Sequence, residues 1–322
     1  MTSATPPRIG ISSCLLGEIV RHDGGHKRDP YLVETLGPLV EWVPVCPEVE
    51  LGLGTPREPI RLVRDTRRSD GVRLVSRSGK PLTARMQRFA RGRLRALARA
   101  GLSGYILKKD SPSCGLERVK VWQGAAARAA ERSGRGIFAG ELVRQYPNLP
   151  VEEEGRLHDP VLRENFFERV FAYQRLRALF SARWSVGALV RWHTTQKLTL
   201  MAHSPVRHRE LGRLVAEARQ IPRAELCRRY EDEFMSALRL RATRARHTNA
   251  LMHAVGHLKR GLDGASRDDL LAVLEDYRAG LVPRVAPLTL VRHHARRLAV
   301  AYLLEQSYLN PHPKELALLN HV

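Results

Sequence analysis

The sequence predicts two domains of different class. Residues 1–150 read as an α/β domain with a Rossmann-like, mainly parallel sheet, and residues 151–322 as an all-α domain. Three observations lead there. Short apolar runs alternate with helical stretches through the first half. Strand signals then vanish, and helical periodicity continues with breaks at Ser, Pro and Gly. Between the halves lies YPNLPVEEEGRLHDP, whose three prolines and acidic cluster mark a boundary. A chain of 322 residues is long enough for two domains, each with its own core.

In chain order, RIGISSC is a buried strand, DPYLVETLGPLV a helix ending near Gly37-Pro38, and WVPVC a second strand. The loop GLGTPREP leads to IRLV and VRLVS, which read as a β-ribbon, and a helix runs from Thr83 to Ala100. GYILKK is a third central strand. The stretch from Trp122 to Ser133 reads as a helix and GIFAG as a short final strand. Beyond the boundary, segments 160–180, 185–202, 206–220, 223–245, 247–261, 267–279 and 287–309 read as about seven helices.

Composition narrows the function. The net charge is +21, and both halves share it: residues 1–150 hold 26 basic against 14 acidic residues, and the remainder 28 against 19. Such an excess favours a polyanionic partner, nucleic acid being the commonest. No run of 18 apolar residues suggests a membrane span, and the MTSATPPRIG start lacks the pattern of a secretory signal. A cytoplasmic location is expected, with no obligate protein partner.

Four cysteines without a CxxC pair do not suggest a disulfide scaffold, a zinc ribbon or a thioredoxin motif. Cys14, Cys46 and Cys114 each fall at or just after the C-terminal end of a predicted strand. In an open parallel sheet those ends converge on one edge, where ligands bind. Three thiolates there suit zinc with one other ligand, or a [4Fe–4S] cluster with one iron uncapped. Glu48, two residues after Cys46, and Ser111, three before Cys114, are placed to face the same point, as a base and a proton-relaying hydroxyl. Cys227, within AELCRRYEDEF, reads as a packing residue.

The strings SSCLLGEIVRHDGGHKRD, VPVCPEVELGLGTPREP and ILKKDSPSCGLERVKV resemble the three signature blocks of the TudS (DUF523) domain. KLTLMAHSP, LGRLVAEAR, HTNALMHAVGHLKRGL, YRAGLVPRVAPLTLVRHH and YLLEQSYLNPHPKEL resemble the YbgA-like DUF1722 domain. The fused arrangement resembles the RudS group, which removes sulfur from 4-thiouridine in tRNA, whereas single-domain relatives act on free thiouracil. The resemblance implies a [4Fe–4S] cluster on Cys14, Cys46 and Cys114, with Glu48 and Ser111 as catalytic partners and tRNA as the macromolecular partner.

A surface for RNA is also legible. Residues 57–99 carry 14 basic and 3 acidic side chains, and Arg85, Arg88, Arg91, Arg95 and Arg99 recur at helical spacing on one face. Met86, Phe89, Leu94 and Leu97 occupy the other face. No Asp or Glu occurs from Pro81 to Leu107, so the face is expected to meet phosphates. In the polar loop VRHDGGHKRD, Asp23 and Lys27 are candidate substrate-binding residues, as is Lys108 at the end of the third strand. The base would have to leave any helical stack to reach the metal. His247, His253 and His257 read as packing or RNA contacts rather than a second metal site.

Overall fold

A computed structural model describes residues 5–65, 67, 71–124 and 127–321. The chain divides into two units, Met1–Asp159 and Pro160–Val322. The break falls after Asp159 rather than after residue 150, because Val151–Glu153 is an edge strand of the first unit and not part of a linker.

The first unit holds β1 (Arg8–Ser12), β2 (Glu41–Val45), α1 (Pro47–Glu50), β3 (Ile60–Arg64), β4 (Val72–Ser76), α2 (Thr83–Arg99), β5 (Gly104–Leu107), β6 (Val119–Trp122), β7 (Ala130–Gly134), α3 (Ile137–Gln145) and β8 (Val151–Glu153). One sheet has the order β2-β1-β5-β8 and is parallel throughout. Its central strands are apolar on both faces: Ile9, Ile11, Tyr105, Ile106 and Leu107 are all buried. The chain leaves β1 for β2 on one side, then crosses to β5 on the other. That reversal opens a crevice at the strands' C-terminal ends.

A second sheet, β4-β3-β6-β7, is mixed: β3 pairs parallel with β6, while β4 and β7 are antiparallel. The expected ribbon is thus half of a sheet. Two expectations fail here. The helix expected from Trp122 is instead the end of β6, followed by β7, while Ala125 and Ala126 lie outside the described residues. Val119 and Val121 point inward and Lys120 outward, the two-residue period of a strand. Pairing with β6 overrides the helix propensity of the alanine-rich stretch. Gly134 permits this contact, since a Cβ there would stand 2.6 Å from the Val121 side chain. The strand expected in GIFAG is the start of α3, whose Ile137, Phe138, Ala139 and Leu142 are buried at helical spacing. The helix expected over DPYLVETLGPLV is one wide turn, Tyr31–Leu36, and a tight one, Gly37–Leu39.

In α2, Met86, Ala90, Leu94 and Leu97 form the buried stripe, while Phe89 is half-buried. Thr83 tethers the helix start by accepting the Leu74 N–H at 2.8 Å.

The second unit contains α4 (Pro160–Ser181), α5 (Val186–Thr195), α6 (Lys197–His203), α7 (Pro205–Ala216), α8 (Arg223–Arg239), α9 (Arg244–Leu258), α10 (Gly264–Ala279), α11 (Val285–Arg297) and α12 (Ala301–Leu304), with no strand among the described residues. Side-chain caps set several starts: Ser185, Ser204, Thr243 and Asp263 each accept a backbone N–H three residues on. Two expected helices are split. Buried Gln196 separates α5 from α6, and Ala299, at φ 50°, ends α11 before α12. Leu198, Leu251, Leu258, Leu270, Leu288 and Val291 belong to one core. Among the described residues no helix is long and apolar enough to cross a membrane.

Candidate active site

Three adjacent parallel strands each deliver one thiol to the same cavity. After β1 the chain tightens into a single turn, Ser13–Leu16, which carries Cys14 and closes on Gly17 at φ 97°. Lys27 donates its backbone N–H to the Cys14 carbonyl at 2.8 Å, folding the 18–27 loop back over that turn. After β2, Cys46 caps α1, and its N–H donates to Glu50 Oε1 at 3.2 Å. After β5, the segment 108–114 turns sharply through Asp110 at φ 60°. Ser111 Oγ then accepts the Cys114 N–H at 3.1 Å. Gly136 backs this turn: a Cβ there would lie 2.4 Å from the Ser113 carbonyl oxygen. All three thiols line a cavity of about 400 Å³.

Glu48 lines it too, and its carboxylate is held from two sides. Arg57 donates through Nε at 3.0 Å and Nη2 at 2.6 Å to Oε2, while Ser113 Oγ donates to Oε1 at 2.6 Å. The Arg57 and Glu48 side chains are 6% and 13% exposed, so the pair is shielded from salt and solvent. Arg57 is itself anchored through Nη1 to the Val20 and Gly54 carbonyls at 2.8 and 2.9 Å. Ser111 does not touch Glu48. Its Oγ is 3.0 Å from Ser113 Oγ, so Ser111 reaches the carboxylate through a second hydroxyl.

Burial pushes the Cys14 thiol up to about 11, with Lys108 opposing and Cys46 adding to the shift. Burial also raises Cys46, and it raises Cys114 strongly, with further contributions from Glu48 and the other two thiols. The three sulfurs are therefore neutral thiols near pH 7, and they become thiolates only as a metal centre displaces their protons. Among the described residues no group of three His, Cys, Asp or Glu side chains is disposed to hold a single metal ion. The thiols instead surround a space, and this soft, all-sulfur donor set fits an iron–sulfur cluster better than one zinc ion.

The other expected residues divide. Lys27 and Lys108 line the cavity, but Lys108 also forms a close ion pair with Glu154. Asp23 is not among the lining residues. It is exposed, and its carboxyl is held to about 2 by hydrogen bonds from Arg21 and the Gly25 N–H. Arg21 and His22 line the cavity in its place. On α2, Arg85, Arg88, Arg91, Arg95 and Arg99 are all exposed. Arg85 also donates to the Leu51 carbonyl at 2.7 Å, and Arg91 pairs with Glu141 at 3.3 Å. The carboxylates absent from that helix are partly supplied by α3. Arg57 and Ser113 were not singled out from the sequence. Arg57 sits in the quoted TPREP string and Ser113 between Pro112 and Cys114, so both lay inside the matching blocks.

In the second unit, Cys227 is half-buried on α8 beside Trp184. His247 is buried on α9, His253 is exposed, and His257 packs on Tyr302 with ring centroids 4.3 Å apart. They form no metal triad among the described residues.

The 2-thiouracil desulfurase family matches residues 9–154, and a protein family of unknown function, DUF1722, matches residues 197–313. The protein YbgA of Escherichia coli (strain K12) is 32% identical over 151 residues, covering 47% of this chain and 89% of the relative. YbbK of Bacillus subtilis (strain 168) is 34% identical over 116 residues, covering 33% and 72%. A solved structure of the [4Fe–4S]-dependent thiouracil desulfidase TudS is 31% identical, covering 48% of this chain and 94% of that one with a TM-score of 0.40. With cysteines, carboxylate and serines all inside the first match, the chain belongs to the 2-thiouracil desulfurase family, joined to a DUF1722 domain, and is an enzyme of the thiouracil-desulfidase kind.

Proposed function

We propose that the chain is a tRNA thiouridine desulfidase that converts 4-thiouridine, and 2-thiouridine by the same chemistry, to uridine and sulfide. The observation that carries the reading is the meeting of three thiols, each from its own strand end, around a cavity that also holds a bound carboxylate. Cys14, Cys46 and Cys114 would hold a [4Fe–4S] cluster, the cofactor on which the TudS relative depends. Held by those three thiolates, such a cluster would supply an open iron able to act as a Lewis acid toward sulfur.

The protein's own groups perform the proton work. Water adds to the carbon bearing sulfur, the carbon–sulfur bond breaks, and no net oxidation or reduction occurs. Glu48, fixed by Arg57 and Ser113, has lone pairs left to accept the proton of the attacking water. Ser113 and Ser111, with their hydroxyls 3.0 Å apart, form a relay that returns the proton toward the leaving sulfur. Lys27 and Arg21 at the wall provide positive charge where hydrosulfide develops.

The tRNA portion of the reading rests on charge. The net charge is +21, and Arg88, Arg95 and Arg99 on α2 are exposed. With tRNA as its substrate, the enzyme would act in the cytoplasm. Desulfuration of free thiouracil is the second reading, favoured by the activity named for the TudS relative. Anaerobic incubation of iron-loaded protein with native tRNA and, separately, with free 2-thiouracil distinguishes them. Loss of 4-thiouridine from tRNA, measured by nucleoside analysis, supports the proposal. Turnover of the free base alone, with thiolated tRNA untouched, overturns it.

A further inference from the structure

The second unit buries a cluster of charged side chains that desulfuration does not use. Glu164 and Glu168 on α4, His203 at the end of α6, His247 on α9, and Arg284 before α11 line one cavity of about 260 Å³. Each of the five is less than a tenth exposed. His203, His247 and Arg284 fall in three of the DUF1722-like strings: KLTLMAHSP, HTNALMHAVGHLKRGL and YRAGLVPRVAPLTLVRHH.

The charge count inside the cavity decides what it lacks. His203 faces acceptors through both ring nitrogens, the Glu168 carboxylate at 3.0 Å and the Leu240 carbonyl at 2.6 Å. Both nitrogens must therefore carry hydrogen, and the imidazolium neutralises Glu168. Glu164 is neutralised by Arg284, in a close ion pair, and its other oxygen lies 2.5 Å from His321 Nε2. Both carboxylates are thus accounted for. Three groups are not. Arg284 Nε is buried with no hydrogen-bond partner among the described residues. Arg241 and Arg244, exposed among the lining residues, form no ion pair with any described carboxylate. Arg244 is seated over Gly280, where a Cβ would meet its guanidinium at 2.2 Å. An anion with several acceptor oxygens is the complement of these donors. A volume below the ~300–1,000 Å³ of drug-sized sites restricts the occupant to a small anion or the end of a larger one.

We propose that this cavity binds the phosphate group of a nucleotide, with Arg241 and Arg244 as its principal ligands. The phosphate comes either from a free mononucleotide or from an RNA chain. The site shares no lining residue with the thiol cavity, and its failure leaves the desulfidase reading untouched.

The test is calorimetric titration of the full chain with inorganic phosphate, uridine 5′-monophosphate and uridine. Phosphate and the monophosphate are expected to bind and uridine is not. The Arg241→Ser/Arg244→Ser variant should lose about tenfold or more in affinity for the monophosphate. Its unfolding midpoint and its turnover of free thiouracil should stay unchanged, which separates loss of a ligand from loss of the fold. Displacement of the monophosphate by unthiolated tRNA assigns the phosphate to RNA, and persistence of binding against tRNA assigns it to a free nucleotide. Absence of phosphate and monophosphate binding at millimolar concentration, or equal affinity in the variant, overturns the proposal.

Discussion

The two cavities meet the problem of burying polar groups in opposite ways. In the second unit, the buried carboxylates Glu164 and Glu168 have cationic partners within the protein. In the first, Glu48 is paired with Arg57, but the three sulfurs beside it have no such partner. They remain neutral because burial and mutual proximity hold their protons on. A buried carboxylate neutralised within the protein is part of the fold, and removing its cationic partner or the carboxylate itself destabilises it. A set of uncompensated soft donors waits for an outside cation, and removing one member changes what is bound.

That contrast can be broken most sharply at the thiols. Replacing Cys14, Cys46 or Cys114 by Ala should abolish iron retention and reduce desulfuration to background, while the iron-free chain unfolds near its usual midpoint. Iron analysis beside calorimetry checks both. Next in size is Glu48→Gln, which keeps the carboxyl's shape. Removing the base should lower kcat by about 10²–10⁴ with iron content intact. Ser113→Ala should cost less, because Glu48 keeps both Arg57 hydrogen bonds.

In the second unit, Glu168→Ala leaves a buried imidazolium without its partner. It should destabilise the fold by about 3–5 kcal/mol, as breaking one side of a buried pair does. Amide exchange in α4 and α6 reads this directly, and desulfuration of free thiouracil should survive below the new midpoint. The same pair predicts an acid limb. Burial alone would raise Glu168, but the charge and hydrogen bond of His203 outweigh it and hold the carboxyl at about 2 against an ordinary 4.5. Its contribution is complete above the ordinary value and is lost as pH falls through about 2. For His203, burial lowers the pKa, but Glu168 and the Leu240 carbonyl raise it by more. That share is complete below the ordinary 6.5 and is lost as pH climbs through the raised value. Exchange protection of α4 and α6 should be greatest between these limits, and Glu168→Gln should flatten the acid side.

The smallest effect belongs to α2. Each of Arg88, Arg95 and Arg99 changed to Ser should reduce the salt slope of tRNA binding by about 1. Arg91 should matter less, because Glu141 already engages it. Filter binding across a salt series measures this.

The thiol site was legible because cysteines are rare here and three of them fall at or soon after the ends of apolar strands. The parallel sheet followed from RIGISSC, WVPVC and GYILKK, whereas its order, with Val151–Glu153 as an edge strand, shows only in the fold. The segment after Trp122 was not legible: its alanines favour helix locally, and only pairing with Val119–Trp122 makes it a strand. Arg57 was hidden for a related reason. A basic residue in a basic chain carries no signal until the fold brings it to Glu48 across nine positions. The charged cavity of the second unit is similarly non-local, since its members come from four helices and the end of the chain.

The most direct measurement is Mössbauer spectroscopy on the anaerobically reconstituted chain, before and after addition of a thiouracil. The account predicts a [4Fe–4S] cluster with one iron distinct from the other three, and a change confined to that iron when the thiolated base binds. Four equivalent irons that ignore the thiouracil, or a cluster retained when Cys14, Cys46 or Cys114 is replaced by Ala, would contradict it.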